Sequence, residues 1–169
     1  CAFRKTSDID TGHMMQSMRR SKNTRKAATS FNSEELRRWF DVDVTFRQRG
    51  ETIIALPEVI AADVQILESF LHVIAAGCAF GVMKGQNLVP DADLALSIML
   101  SPDAYPPAEV DRDKALAFLH RDNVTFPEAP LGYLLVRYQG LPLGFVKNLG
   151  NRCNSLHPQS RRIRMDIKG

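Results

Sequence analysis

The sequence predicts an α+β fold built from two small modules, and three observations support this prediction. Apolar residues that step by three and four run through residues 58–74, as expected for a helix. Strand-like apolar runs separated by turn residues lie on either side of that stretch. The proline-dense segment Ser101–Ala108 separates the two groups of elements, because closely spaced prolines end helices and stiffen linkers. With 169 residues and 44% hydrophobic residues, the chain can bury a core.

Charge is distributed unevenly along the chain, although the net charge is only +3. Residues 1–30 hold seven Lys or Arg against two Asp or Glu, and residues 137–169 hold seven against one. Between them, residues 31–136 hold eight against sixteen. Basic ends around an acidic middle indicate an anionic partner that the two ends contact, although a distribution that only keeps the chain soluble gives the same pattern.

Cysteine usage and hydropathy indicate where the protein resides. Cys1, Cys78 and Cys153 form no CxxC pair, which favours a reducing cytoplasm over a disulfide-linked secreted protein. No signal peptide is visible, and the longest nearly apolar run, Phe70–Met83, is too short to cross a bilayer. We therefore expect a cytoplasmic protein without a membrane partner. Because the chain does not begin with Met, we also expect a fragment or a processed product.

In the first module, Ser33 is predicted to cap a short helix through Phe40. A hairpin is predicted next, with strands at Val44–Gln48 and Thr52–Leu56 that Pro57 ends. The apolar side of the short helix is predicted to contain Leu36, Trp39 and Phe40. Trp39 is expected in the core rather than as a platform for a nucleic-acid base.

The first module continues with a longer amphipathic helix over Glu58–Ile74, because its apolar residues step by four and three. These residues are Ile60, Val64, Leu67, Leu71 and Ile74. Three glycines spaced four apart over Gly77–Gly85 predict a strand with close backbone contacts and no dinucleotide site, since the GxGxxG order is missing. Another helix is predicted to start at Asp91 or Asp93 and to run to about Leu100.

In the second module, Asp111 is predicted to cap a helix through His120. Its inward side chains are expected to be Ala115, Leu116 and Leu119. The apolar runs Tyr133–Tyr138 and Leu141–Leu149 predict two strands joined by a tight turn. Apolar and mostly basic residues alternate over Arg162–Lys168, which predicts a half-buried strand with a basic outer face.

The stretch Gly132–Pro158 resembles the C-terminal PUA-like RNA-binding domain of the Sun/Nop-type RNA cytosine-5 methyltransferases, and among them those of the RsmF kind. The residues that match the motif are Gly132, Tyr133, Leu135, Val136, Tyr138, Gly140, Pro142, Leu143, Gly144, Phe145, Lys147, Gly150, Arg152, Asn154 and Pro158. The departures are Asn151, Ser155, Leu156 and His157. Cys1–Lys5 is similar to the last core strand of the family's catalytic domain, and Ala75–Pro90 is similar to its middle domain.

The resemblance implies three parts. Residues 1–30 would be the end of a catalytic-domain strand with a flexible basic linker, and residues 31–104 a small mixed α+β middle domain. Residues 105–169 would be the PUA-like β-barrel with its leading helix. The expected function is to position structured RNA, specifically small-subunit rRNA, for an upstream methyltransferase domain in the same protein that uses S-adenosylmethionine.

Methylation of cytosine C5 requires a thiolate that adds at C6. The family places this nucleophile after Thr and a second cysteine after Pro, and none of the three cysteines here fits either pattern. We therefore expect no catalytic residue and no cofactor-binding residue in this fragment, with S-adenosylmethionine bound only by the presumed parent protein. The histidines occur singly along the chain, so no metal site is predicted either.

RNA binding is the function that accounts for the largest number of candidate residues in the sequence. Basic side chains on a sheet and its adjoining loop would contact phosphates, and the candidates are Lys147, Arg152, Arg162 and Arg164. Asn154 and His157 are the candidates for hydrogen bonding or stacking. Arg137 lies within an apolar strand, which is compatible with a structural role.

Two other functions stay open on the sequence. The acidic middle domain is compatible with a protein-interaction module that binds a basic ribosomal or assembly partner. A small enzyme with a pocket between the two modules is the second alternative. The basic cluster between Arg19 and Lys26 fits either a flexible linker or an arm along a nucleic-acid backbone.

Overall fold

The computed structural model describes residues 33–85 and 87–165, in which the described strands form two four-stranded sheets. Helices and sheets are mixed along the chain, which confirms the predicted α+β class. The helices are α1 (Ser33–Arg37), α2 (Glu58–Phe70), α3 (Ala92–Ala95) and α4 (Arg112–Leu119). The first sheet contains β1 (Val44–Arg49), β2 (Thr52–Pro57), β3 (Cys78–Lys84) and β4 (Asn87–Pro90). The second contains β5 (Pro107–Glu109), β6 (Gly132–Tyr138), β7 (Leu141–Asn148) and β8 (Cys153–Ser155), and a 3-10 helix follows at Gln159–Arg161.

The first sheet is an antiparallel meander in the order β1-β2-β3-β4. With the helices α1 to α3 it makes up what we call the first unit, and the later elements make up the second unit. The hairpin β1–β2 forms where the sequence predicts it. Glycine is required within β3, because a Cβ on Gly81 would lie 2.4 Å from the carbonyl oxygen of Val89. This close contact between strands confirms the role expected for Gly81, whereas a Cβ on Gly85 would meet no atom within 4 Å.

The three described helices of the first unit are all shorter than predicted, and α1 ends at Arg37 rather than at Phe40. Helix α2 ends at Phe70 because Leu71 adopts an extended backbone conformation. Helix α3 begins after Asp91, whose carboxylate accepts a hydrogen bond from the Asp93 backbone N–H at 2.9 Å, and it ends at Ala95. A turn follows, so the predicted continuation to Leu100 is not helical.

The second sheet has the order β5-β6-β7-β8, with β5 parallel to β6 and the other pairs antiparallel. Helix α4 connects β5 to β6, as a parallel pair requires a crossover connection. Asp111 caps it as predicted, accepting a hydrogen bond from the Lys114 backbone N–H at 2.8 Å. The buried residues of α4 are Ala115 and Phe118, and Leu119 packs half-buried against the smaller core as expected, so the sequence pattern missed only the inward position of Phe118 among these three.

Two apolar cores form, and the larger one continues from the first sheet into the second. The larger core contains Phe80 of β3 together with Leu135 and Phe145 of the second sheet. Tyr105 joins them, since its ring lies 4.7 Å from that of Phe145 and 4.9 Å from that of Trp39. The smaller core lies on the other face of the second sheet, and its members are Ala108, Phe118, Val124, Phe126, Leu134, Val136 and Val146.

The predicted C-terminal strand does not form over residues 162–165. Instead, the chain passes α4 there, and the Ile163 N–H donates to the Leu119 carbonyl at 3.2 Å. The alternating apolar residues predicted this strand wrongly over residues 162–165, because Ile163 contacts the end of α4 there and the segment does not pair with a strand. The expectations for residues 1–30 and for residues 166–168 lie outside the described residues. No helix in the described ranges has the length and apolar character to cross a bilayer.

Candidate nucleic-acid interface

Three neighbouring strands of the second sheet place one side chain each in a row across the sheet. Tyr133 of β6 lies opposite Lys147 of β7, and Lys147 lies opposite Asn154 of β8. Directly opposite residues point to the same face, so an aromatic ring, an ammonium group and an amide are adjacent. The Lys147 ammonium lies 5.4 Å from the Tyr133 ring centroid, within the range of a cation–π contact.

This row lies where the larger core meets solvent. Phe145 precedes Lys147 by two positions on the same face of β7 and is fully buried, whereas Asn154 is exposed. Tyr133 packs on the core edge, and burial raises the pKa of its hydroxyl. The hydroxyl can donate a hydrogen bond at neutral pH, as an ordinary tyrosine does.

Asn148 fixes the loop beside the row, and the sequence pattern did not identify it. It is buried, and its amide nitrogen lies 2.9 Å from the carbonyl oxygen of Phe126 and 3.1 Å from that of Ala129. Its amide oxygen accepts from the Gly150 N–H at 3.0 Å. Because buried polar groups need such partners, Asn148 holds the turn that carries Arg152. The position of this Asn at the end of an apolar strand was the feature of the sequence that could have indicated its structural role.

The predicted cations fall into two groups. Arg152 is exposed just before β8, and its carbonyl accepts from the Leu149 N–H at 2.9 Å, so it lies beside the row. Arg162 and Arg164 are also exposed, but they flank Ile163 at the end of α4. The structure therefore brings Lys147, Asn154 and Arg152 together and places the other two arginines elsewhere.

His157 does not lie on the surface where a base could stack. Its side chain is only 7% exposed, and its ring lies 5.4 Å from the ring of Phe118. Its Nε2 lies 3.1 Å from the Arg161 carbonyl oxygen. The sequence suggested a contact role for His157 because it lies in the loop that follows the two predicted strands. The turn after β8 instead directs the ring into the interior, so we remove His157 from the candidate surface.

Two further arginines hold the structure together. Arg137 donates to the Pro102 carbonyl, which supports the structural role that the sequence left open. Arg161 pairs with Asp93 of α3 and thereby links the segment after β8 to the first unit. Such exposed pairs contribute little stability, but they occupy these guanidinium groups.

The Cys78 thiol lacks the lowered pKa that a nucleophile needs. Burial raises the pKa of Cys78 to about 11, so its thiol is protonated at neutral pH, whereas a nucleophile requires a lowered pKa. Within the described ranges, no cluster of three or more His, Cys, Asp or Glu side chains is arranged to hold a metal. The cavity between the two units, lined in part by Leu100, Leu135 and Arg137, has a volume of about 70 Å³. This volume is far smaller than that of ordinary ligand pockets.

Comparison with known families identifies the second unit. Residues 106–163 match the family described as the Methyltransferase RsmF PUA domain. The match covers β5, α4, β6, β7, β8 and the 3-10 helix, and therefore includes the row and its supporting loop. No curated protein matches the chain. The second unit of this chain is therefore similar to the PUA domain of RsmF-type methyltransferases.

Proposed function

We propose that this chain is the RNA-binding C-terminal part of an S-adenosylmethionine-dependent rRNA cytosine-5 methyltransferase. The observation that carries the proposal is the match of residues 106–163 to the RsmF PUA domain. Its role is to hold structured small-subunit rRNA so that a catalytic domain upstream in the same protein receives one cytosine. We place this activity in the cytoplasm.

The row on the second sheet supports RNA contact through three kinds of interaction. Lys147 and the neighbouring Arg152 supply positive charge for phosphates. The Tyr133 ring supplies a flat face on which an unstacked base can stack, as single-stranded RNA is often bound. Asn154 is exposed and can both donate and accept hydrogen bonds at a base or a 2′-hydroxyl. Arg162 and Arg164 form a second candidate contact near α4.

Chemistry belongs to the rest of the parent protein in this proposal. S-adenosylmethionine supplies the electrophilic methyl group when it is bound there. Cys78 does not suit the thiol step, because burial holds it in its protonated form. The contribution of the described residues is to orient RNA, which lowers the barrier through positioning rather than through bond making.

A salt-dependent titration tests the proposal. Wild-type chain and the variant Lys147→Glu/Arg152→Glu are titrated with small-subunit rRNA at two salt concentrations. A matched control, Arg38→Glu/Arg112→Glu, changes net charge equally but alters exposed positions just after α1 and at the start of α4. We expect the log–log salt slope of the first variant to fall by roughly one for each phosphate that it no longer binds. The slope of the control should change little.

Equal weakening in both variants would show that overall charge, and not this row, drives binding. An additional variant, Arg162→Glu/Arg164→Glu, measures the second candidate contact separately. Loss of binding in that variant alone would move the RNA surface to the end of α4. Absence of salt-dependent binding by the wild-type chain would overturn the proposed function.

The alternative function, a module that binds a basic ribosomal or assembly partner through the acidic middle domain, remains a prediction. One observation favours an added protein contact in that region, namely the exposed apolar side chains of α2. These side chains lie on a surface that is distinct from the row on the second sheet.

A further inference from the structure

Helix α2 exposes an unusual amount of apolar surface. None of its 13 residues is buried. Half of the exposed large apolar side chains among the described residues lie in α2 and the four residues after it. These are Val59, Ile60, Ile66, Leu67, Phe70, Leu71 and Ile74. Scattered exposed apolar residues are ordinary, but a concentrated patch marks an interaction surface.

The exposed side chains form an ordered stripe. Val59, Ile66 and Phe70 are spaced at i, i+7 and i+11, so they lie on one side of the helix, and they are 86%, 58% and 83% exposed. Ile60 and Leu67 form an adjacent stripe that is 41% and 48% exposed. We call these five residues the docking face. Anchors at such spacing are those of a helix that inserts into a groove.

The helix is held in place on its opposite side. Arg47 of β1 donates to the Ala61 carbonyl and to the Glu68 carboxylate, each at 3.0 Å. Arg49 donates to the Ile74 carbonyl at 3.1 Å. Arg47, Arg49 and Glu68, which make these bonds, also line a cleft of about 420 Å³ beneath the end of α2. The arginines thus present α2 outward in a fixed orientation, which lowers the entropic cost of binding.

The charges of α2 identify what covers it. Its charged residues are Glu58, Asp63 and Glu68, and its sequence contains no Lys or Arg. Asp63 follows Val59 by four positions and precedes Ile66 by three, so an exposed carboxylate lies within the docking face. RNA and anionic lipid surfaces are repelled by such a helix, and a second copy would set like charges against each other. An apolar groove that carries Lys or Arg complements both the exposed apolar side chains and the carboxylates of α2.

We propose that the docking face of α2 binds a protein partner that offers an apolar groove edged by Lys or Arg, with one of these cations paired to Asp63. This inference goes beyond RNA binding and uses a different surface. Burial of the apolar anchors supplies the driving force for binding. The Asp63 carboxylate favours a partner whose groove has a positively charged rim, which provides specificity by charge complementarity.

Two synthetic amphipathic helical peptides test the proposal with the full chain. Both have a leucine face, and the rim is lysine in one and glutamate in the other. Fluorescence anisotropy measures the binding of each labelled peptide. We expect the lysine-rimmed peptide to bind, and the variant Ile66→Ala/Phe70→Ala to weaken it about tenfold or more, since exposed anchors account for most of such affinity.

A charge reversal makes the test specific. Asp63→Lys is expected to weaken the lysine-rimmed peptide and to create binding of the glutamate-rimmed peptide. The matched control Ile98→Ala removes an apolar side chain that is 99% exposed outside α2, and it should leave both affinities unchanged. Circular dichroism confirms that each variant remains folded.

Several outcomes would overturn the inference. Equal loss in the Ile98→Ala control, or no change of peptide preference in Asp63→Lys, would show that binding is unspecific. Self-association of the wild-type chain in sedimentation that Phe70→Ala abolishes would identify a second copy as the occupant. Loss of rRNA binding, or of binding to vesicles of anionic lipid, in Ile66→Ala/Phe70→Ala would assign the face to RNA or membrane. The salt titration of Lys147→Glu/Arg152→Glu is independent of all of these results.

Discussion

Helices α2 and α4 both follow a strand and both pack on a sheet, yet they relate to the fold in opposite ways. Helix α4 is capped by the Asp111 side chain and buries Phe118 in the smaller core. Helix α2 begins after Pro57 without a side-chain cap and buries no residue. The comparison shows that a 3.6-residue apolar pattern predicts an apolar face, but not whether the same chain covers that face.

The largest expected effect is the difference in stability loss between a substitution in α4 and one in α2. Phe118 is 1% exposed, and its ring fits against Gly144, where a Cβ would lie 2.8 Å from the ring. Phe118→Ala should therefore destabilise the chain by about 3–5 kcal/mol. Phe70→Ala, its counterpart in α2, should change stability by less than about 0.5 kcal/mol. Urea unfolding followed by the fluorescence of Trp39 measures both. Comparable losses in the two variants would mean that α2 is packed more firmly than its exposure indicates.

Alkaline pH provides a second contrast, because it acts on the core beneath the second sheet and not on α2. Burial raises the pKa of Tyr105, whereas an unfolded chain releases a tyrosine proton near pH 10. The folded state then binds more protons than the unfolded state, so stability is present below about pH 10 and falls as pH rises above it, by at most about 1.4 kcal/mol per pH unit for one group.

Tyr105→Phe should flatten this alkaline decline in urea-unfolding measurements between pH 10 and 12. The thiol of Cys78, whose pKa burial raises to about 11, contributes a decline from about pH 9 in both proteins. An identical pH dependence with and without the Tyr105 hydroxyl would show that Tyr105 ionises freely and that its surroundings are wetter than its burial indicates.

The smallest effect concerns the helix start. Asp111→Ala removes the hydrogen bond to the Lys114 N–H and should destabilise the chain by about 1 kcal/mol. The same measurement on Asp111→Asn should recover most of this loss, because an Asn side chain also caps. If Asn recovers none of it, the carboxylate acts through its charge at the helix start rather than through the cap.

Local rules predicted most of the elements from the sequence. The hairpin β6–β7, the cap at Asp111 and the glycine contact at Gly81 follow from turn, capping and strand chemistry that act within a few residues. Trp39 was expected in the core, and its ring lies 5.6 Å from that of Phe80.

Features that depend on distant contacts were not predictable in the same way. His157 is a polar residue in a predicted loop, and its burial depends on contacts with Phe118, which is distant in the sequence, and with the Arg161 carbonyl. The segment after it alternates like a strand, but it has no strand to pair with in the described part of the chain. Tyr133 was identified from the sequence only as part of the motif, since its contact with Lys147 requires the register of β6 and β7.

The core that continues through both sheets also limits how this region can be inherited. A PUA unit separated at residue 105 would leave behind Trp39 and Phe80, which pack with Tyr105, Leu135 and Phe145 in one cluster. The apolar surface exposed by this separation would promote aggregation of the new protein. We therefore expect gene fusions and duplications to include residues 33–165 together, so that the first unit is inherited with the second unit.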